Sequence, residues 1–185
     1  MKTISGLFVI SGLLTAQTFT FGVKGGAFIT DPAEQFDQSR PYTVGPCVEV
    51  ALPARFGAEV NALYSRFGSS LFPASSSATR LRGNAWEFPI LGKYYFAERS
   101  SSIQPFASAG MAFRQIWLDR NSDDRFGRRV TDSTDVAVGA VVAGGVALKA
   151  GRFRIAPEAR YTRWGGYNYP ATNPNQAQVL LGITF

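Results

Sequence analysis

The chain has 185 residues, 45% of them hydrophobic and 14% aromatic, which gives room for one domain of ordinary size and not for two. It contains no histidine and a single cysteine, Cys47; this excludes an internal disulfide, a nucleophile activated by histidine, and the commonest transition-metal ligand. Nineteen Lys and Arg against thirteen Asp and Glu give a formal charge of +6, but the basic residues are dispersed among Asp and form no patch of the kind nucleic acid requires.

The first residues read as a secretory signal peptide. Met1-Lys2-Thr3 is short and positive, Ile4 to Ala16 is an apolar run of small and aliphatic residues, and no acidic residue occurs before Asp31. That run is shorter than the roughly 20 apolar residues a membrane-spanning helix needs. Cleavage after Ala16 is expected, leaving one domain over residues 17–185. Cys47 lies well beyond the apolar run, so it is not expected to carry a lipid and reads as a small, partly buried side chain. Export takes the chain away from cytoplasmic nucleic acid, and the phosphate-bearing outer surface of a bacterial membrane is a better counterpart for its charge.

Beyond the signal peptide there is no heptad and no amphipathic helical period. What recurs is period-two alternation in segments of roughly ten residues, which predicts eight β-strands. The first, Thr18 to Ile29, sets Phe19, Phe21, Val23 and Ala27 against Thr20, Gly22 and Lys24. The second, Thr43 to Leu52, sets Val44, Val48 and Val50 against Thr43, Cys47 and Glu49. The third, Phe56 to Arg66, sets Phe56, Ala58, Val60 and Tyr64 against Glu59, Asn61 and Ser65. The fourth, Trp86 to Phe96, sets Trp86, Phe88, Ile90 and Tyr94 against Glu87 and Lys93. The fifth, Ile103 to Trp117, sets Ile103, Ala107, Met111 and Phe113 against Gln104, Ser108 and Arg114. The sixth, Val136 to Lys149, is apolar on both faces, and its register is open. The seventh, Phe153 to Arg163, sets Phe153, Ile155, Ala159 and Tyr161 against Arg154, Glu158, Arg160 and Thr162. The eighth ends the chain, with Ala177, Val179, Leu181, Ile183 and Phe185 on one face.

The connections alternate in length. Residues 53–55, 97–102 and 150–152 are short turns, whereas 30–41, 67–84, 118–135 and 165–176 are long, polar and rich in Gly, Pro, Ser or Asp. Short turns at one end and long loops at the other is the pattern of an up-and-down transmembrane barrel. In that topology Phe19, Phe56, Phe96, Phe153 and Phe185 fall at the turn end, and Tyr64, Trp86, Trp117 and Trp164 at the loop end, where two water–lipid boundaries would lie. Pro46, Pro89, Pro105 and Pro157 fall inside proposed strands, and each removes a ladder donor or demands an irregularity.

Alternation alone does not say which face is outside, and a secreted, soluble calycin-like barrel around a small hydrophobic ligand shares the strand count. The apolar faces almost lack charge in mid-strand, the aromatics form two bands, and Phe185 is the last residue; all three favour lipid on the apolar side. The other face would then carry Lys24, Glu49, Glu59, Glu87, Lys93, Arg114, Glu158 and Arg160 into a narrow interior. Desolvated there, these charges need ion pairs, and a plugged lumen is expected, with a narrow channel as a lesser alternative.

No catalytic constellation is present. Glu59 and Glu158 could be imagined as an acid/base pair, but carboxylates set against Lys and Arg read as structural. The glycine pairs 25–26, 144–145 and 165–166 join no strand to a helix and are not phosphate loops. The 118–135 loop has the densest charge: Arg125, Arg128 and Arg129 could clamp lipopolysaccharide phosphates and Asp123 with Asp124 a divalent cation, although a solvated loop with internal salt bridges is the simpler reading. No enzyme activity, cofactor or metal is expected.

Gly45 to Pro53, the following Gly57 to Arg66, the run Glu158-Ala159-Arg160-Tyr161 and the terminal Leu181-Gly182-Ile183-Thr184-Phe185 together resemble the outer-membrane β-barrel domain family, the group that includes the transmembrane domains of outer-membrane proteins A, X and W. The resemblance implies an all-β, eight-stranded antiparallel barrel integral to the outer membrane of a Gram-negative-type cell. It further implies insertion by the barrel-assembly machinery, with Phe185 as the assembly signal, and a non-enzymatic role in envelope integrity, adhesion or loop-mediated binding. Outer-membrane lipid, including lipopolysaccharide, is the expected partner, and a monomer the expected state.

Overall fold

The computed structural model describes residues 19–30, 42–71, 79–122, 129–133, 136–165 and 174–185, and every element among them is a β-strand. The strands are β1 (Phe19–Phe28), β2 (Tyr42–Ala51), β3 (Phe56–Asn61), β4 (Leu63–Leu71), β5 (Thr79–Tyr95), β6 (Ile103–Ser122), β7 (Arg129–Ser133), β8 (Ala137–Ala150), β9 (Phe153–Gly165) and β10 (Asn175–Thr184). All pairings are antiparallel. β3 and β4 form one stave and β7 and β8 another, so ten strands make eight staves. β10 closes the barrel on β1, with Val23 opposite Ile183 and Phe185 N–H donating to the Phe21 carbonyl at 2.9 Å.

One circuit of cross-strand partners fixes the geometry. It runs from Phe19 through Val50, Ala58, Gly92, Ala109, Val142, Tyr161 and Ala177, whose carbonyl accepts from Ile29 N–H, and so returns to β1 ten residues above its start. A shear of ten over eight staves implies a strand tilt of about 40° and a backbone radius of about 8 Å. In a cylinder of that size inward side chains from different staves can meet across the interior.

The prolines are absorbed without a change of register. Pro46 on β2 and Pro89 on β5 flank the same point of the stave between them, and the ladder breaks there at Ala62, between β3 and β4. Ala62 N–H still donates to the Pro46 carbonyl at 3.0 Å, and the pairing resumes in step on the far side. Pro157 has the same effect on the β8–β9 ladder, which is interrupted opposite Val146 and Ala147 and recovers at Leu148. Gly45 belongs to the first of these sites: a Cβ on it would collide with the Ala62 carbonyl. Gly45→Val is therefore expected to destabilise the barrel by about 1–3 kcal/mol. The check is the urea midpoint of protein folded into lipid vesicles, and an unchanged midpoint would remove the argument.

Two expected loops are shorter than the composition suggested. β4 and β5 stay paired out to Leu71 opposite Thr79, and β6 continues to Ser122 with β7 paired against it. Their Gly, Ser, Asp and Asn content reads as polar loop in the sequence. The expected signal peptide lies outside the described residues.

Candidate functional site

The barrel is apolar outside and polar inside. On β10, Val179, Leu181 and Ile183 are each about half exposed, whereas Gln176, Gln178 and Leu180 are buried. On β9 the exposed Phe153, Ile155 and Tyr161 alternate with buried Glu158, Arg160 and Thr162. The open register of β8 is resolved: Val138, Val142 and Leu148 face out, and Gly139, Val141 and Ala147 face in. Phe19, Phe56, Phe96, Phe153 and Phe185 ring the turn end, all half exposed or more, and Tyr42 and Trp86 stand outward towards the loop end.

Trp164 departs from expectation. It is 6% exposed and lies inside the barrel, because its position in β9 shares parity with Arg160 and Thr162. Its indole N–H donates to Gln176 Oε1 at 2.8 Å, and the Arg114 guanidinium lies 4.2 Å from its ring centroid. Parity along a strand outranks the preference of tryptophan for an interface.

All eight charged residues assigned to the interior are there, 9% exposed or less. They sort into two groups. Towards the turn end, three cations and three carboxylates form one connected cluster. Lys24 Nζ lies 2.5 Å from Glu59 and 2.6 Å from Glu158. Lys93 pairs with Glu59 and lies 2.9 Å from Glu49. Arg160 lies 2.7 Å from Glu158 and 3.7 Å from Glu59. Glu59 thus touches all three cations, and it also accepts from Asn61 Nδ2 at 2.9 Å. Tyr95 donates its hydroxyl to Glu49 at 2.5 Å, and Phe106 lies under Lys93, 4.6 Å from ring centroid to Nζ.

Nearer the loop end, Gln176 bridges the remaining pair. Arg114 donates to its Oε1 at 3.0 Å, and its Nε2 donates to Glu87 at 3.0 Å. Gln178 adds a 3.4 Å bond to Glu87. Leu63, Leu91, Leu180 and Val141 also point inward from four staves, each 1% exposed or less, and Leu91 and Val141 belong to one buried apolar cluster with Ala112 and Trp164. Four cations balance four carboxylates, which is the condition for keeping charges in so small a space.

Glu59 and Glu158 share Lys24 and are each 2% exposed. Cys47 is a buried free cysteine, and no cluster of metal-ligating side chains occurs among the described residues. Arg125 and Arg128 lie outside the described residues, and of Arg129 only the backbone pairing with Asn121 is described. Gln176, Gln178, Tyr95 and Trp164 carry no charge to single them out for the interior in the sequence, although strand parity marks all four.

Residues 15–165 match the family model described as outer membrane protein beta-barrel domain. Among solved structures, the fold is similar to Neisserial surface protein A, at 15% identity and TM-score 0.52 over 91% of this chain and 97% of that one. It is similar to a major outer membrane protein from Thermus thermophilus, at 10% identity and TM-score 0.58 over 91% and 99%. A third is Ail, the attachment invasion locus protein of Yersinia pestis, crystallised with the heparin analogue sucrose octasulfate, at 8% identity and TM-score 0.54 over 91% and 95%. No curated protein sequence matches. At these identities the structural likeness carries the fold, and the family match carries membership: the chain belongs to the outer-membrane protein β-barrel domain family and is an integral β-barrel protein of the outer membrane.

Proposed function

We propose that this barrel is a solid, non-enzymatic membrane anchor whose work is done at its surface, in envelope integrity or in binding by its loops, and that it conducts nothing through its centre. What supports this reading is the set of inward side chains: the Glu59 cluster and the Glu87–Gln176–Arg114 bridge join facing staves, and Leu63, Leu91, Leu180 and Val141 are buried beside them, inside a backbone radius of about 8 Å. An aqueous path would have to break buried ion pairs. Purified protein in planar bilayers is expected to give no stable conductance steps, and large, persistent openings would overturn the solid-anchor reading.

Binding at the loops would draw on Arg125, Arg128 and Arg129, whose guanidinium groups suit phosphate or sulfate oxygens. The complex of Ail with a sulfated sugar supports that chemistry by analogy of fold alone. Phe185, 69% exposed and paired with Phe21, is available at the turn end to the machinery that inserts the barrel.

A further inference from the structure

The outer wall is not uniformly convex. Across β8, β9 and β10 a shallow groove of about 410 Å³ opens on the lipid side, its floor set by small residues. Gly144 lies opposite Ala159 and Ala177 opposite Tyr161, while Val142, Tyr161 and Ile29 form its sides. Nearly all of its lining is apolar, and its size falls within the range of small-ligand pockets.

What distinguishes this groove from bulk annular surface is the polar group at its loop-side end. Outward residues of β9 run Phe153, Ile155, Pro157, Ala159 and Tyr161, and the next outward position is Arg163. Asn175 pairs with Arg163 across the ladder. Its Oδ1 accepts from Arg163 at 3.1 Å and from the Tyr161 hydroxyl at 2.7 Å. The guanidinium is thereby held at the end of the apolar stretch, where headgroups begin, and it makes no ion pair with a carboxylate among the described residues. A fixed cation at headgroup level above an apolar groove is complementary to one phosphorylated lipid.

We propose that this wall of the barrel seats a single phosphorylated glycolipid of the loop-side leaflet, an acyl chain lying over Gly144, Ala159 and Ala177 and a phosphate meeting Arg163. The loop end determines the leaflet, and the cell-surface leaflet is the one that carries lipid A-type molecules. This site is separate from the loop arginines and holds whether or not the loops bind anything.

The test uses the full barrel in detergent micelles, confirmed as folded by heat-modifiable gel mobility, with purified lipid A as probe and native mass spectrometry as readout. One lipid A per barrel is expected, with saturation. Arg163→Gln should weaken it roughly tenfold, the scale of one charge-assisted hydrogen bond, and dephosphorylated lipid A should bind wild type as weakly. Ala159→Leu, which fills the groove from outside and leaves Arg163 in place, should also reduce binding. Arg163 is exposed, so its loss does not threaten folding. Unchanged binding in either variant, unsaturated uptake of several lipids, or equal binding of phosphatidylglycerol would overturn the proposal.

Discussion

Glu59→Leu is expected to lower the stability of the folded barrel by about 3–5 kcal/mol, the usual cost of leaving a buried charge uncompensated. Glu59 contacts Lys24, Lys93 and Arg160, and removing it leaves three cations against Glu49 and Glu158. Three ion pairs are lost, although each cation keeps one carboxylate; the penalty comes from one unbalanced positive charge in a buried interior. The measurement is urea unfolding of protein reconstituted in lipid vesicles. A second substitution is the specific control: Lys24→Met in the same chain leaves Lys93 with Glu49 and Arg160 with Glu158, restores the charge balance and should recover part of the loss. If the double variant were as unstable as the two single losses added together, the cluster would not be acting as a coupled unit.

The second large effect is expected on the outside. Leu181 is the middle outward residue of β10, 48% exposed, between Val179 and Ile183. Leu181→Arg should cost about 2–4 kcal/mol, as for a cation at the bilayer midplane. Ile103→Arg, at the turn-end start of β6 and 60% exposed, should cost roughly 0–1 kcal/mol, because the side chain reaches water. Were the same outward face bathed in water instead of lipid, both changes would be near neutral, since both side chains would already be solvated. The difference between the two costs, measured by the same urea unfolding in vesicles, therefore reads the depth of each residue in lipid.

The staves are legible because one face must be apolar for lipid and the other polar, so parity is written into the sequence of each one. Lys24, Glu49, Glu59 and Glu158 can be placed inward from that parity. What parity does not contain is which of them meet, because partners across the lumen are brought level by the shear of the sheet. Lys24 and Glu158 lie 134 residues apart and touch only because β1 and β10 close with Val23 opposite Ile183. Trp164 is misplaced when the habit of tryptophan is preferred to its position in β9. β7 and the outer part of β4 escape a reading by periodicity, since Arg129–Ser133 and Phe67–Leu71 carry no sustained apolar alternation. The interruption at Ala62 is half legible: Pro46 and Pro89 announce a defect, but only the register shows that they share one.

The central claim is that the alternation of this chain is turned inside out relative to a soluble barrel, with lipid on the apolar face and paired charges in the core. A nitroxide scan along β10 tests it most directly, with single cysteines at positions 178 to 183 in a Cys47→Ala background and protein reconstituted in bilayers. Labels at 179, 181 and 183 should be reached by dissolved oxygen from the lipid and not by a water-soluble paramagnetic reagent. Labels at 178, 180 and 182 should be reached poorly by both. The opposite alternation, or ready access of the water-soluble reagent to 179, 181 and 183, would contradict it.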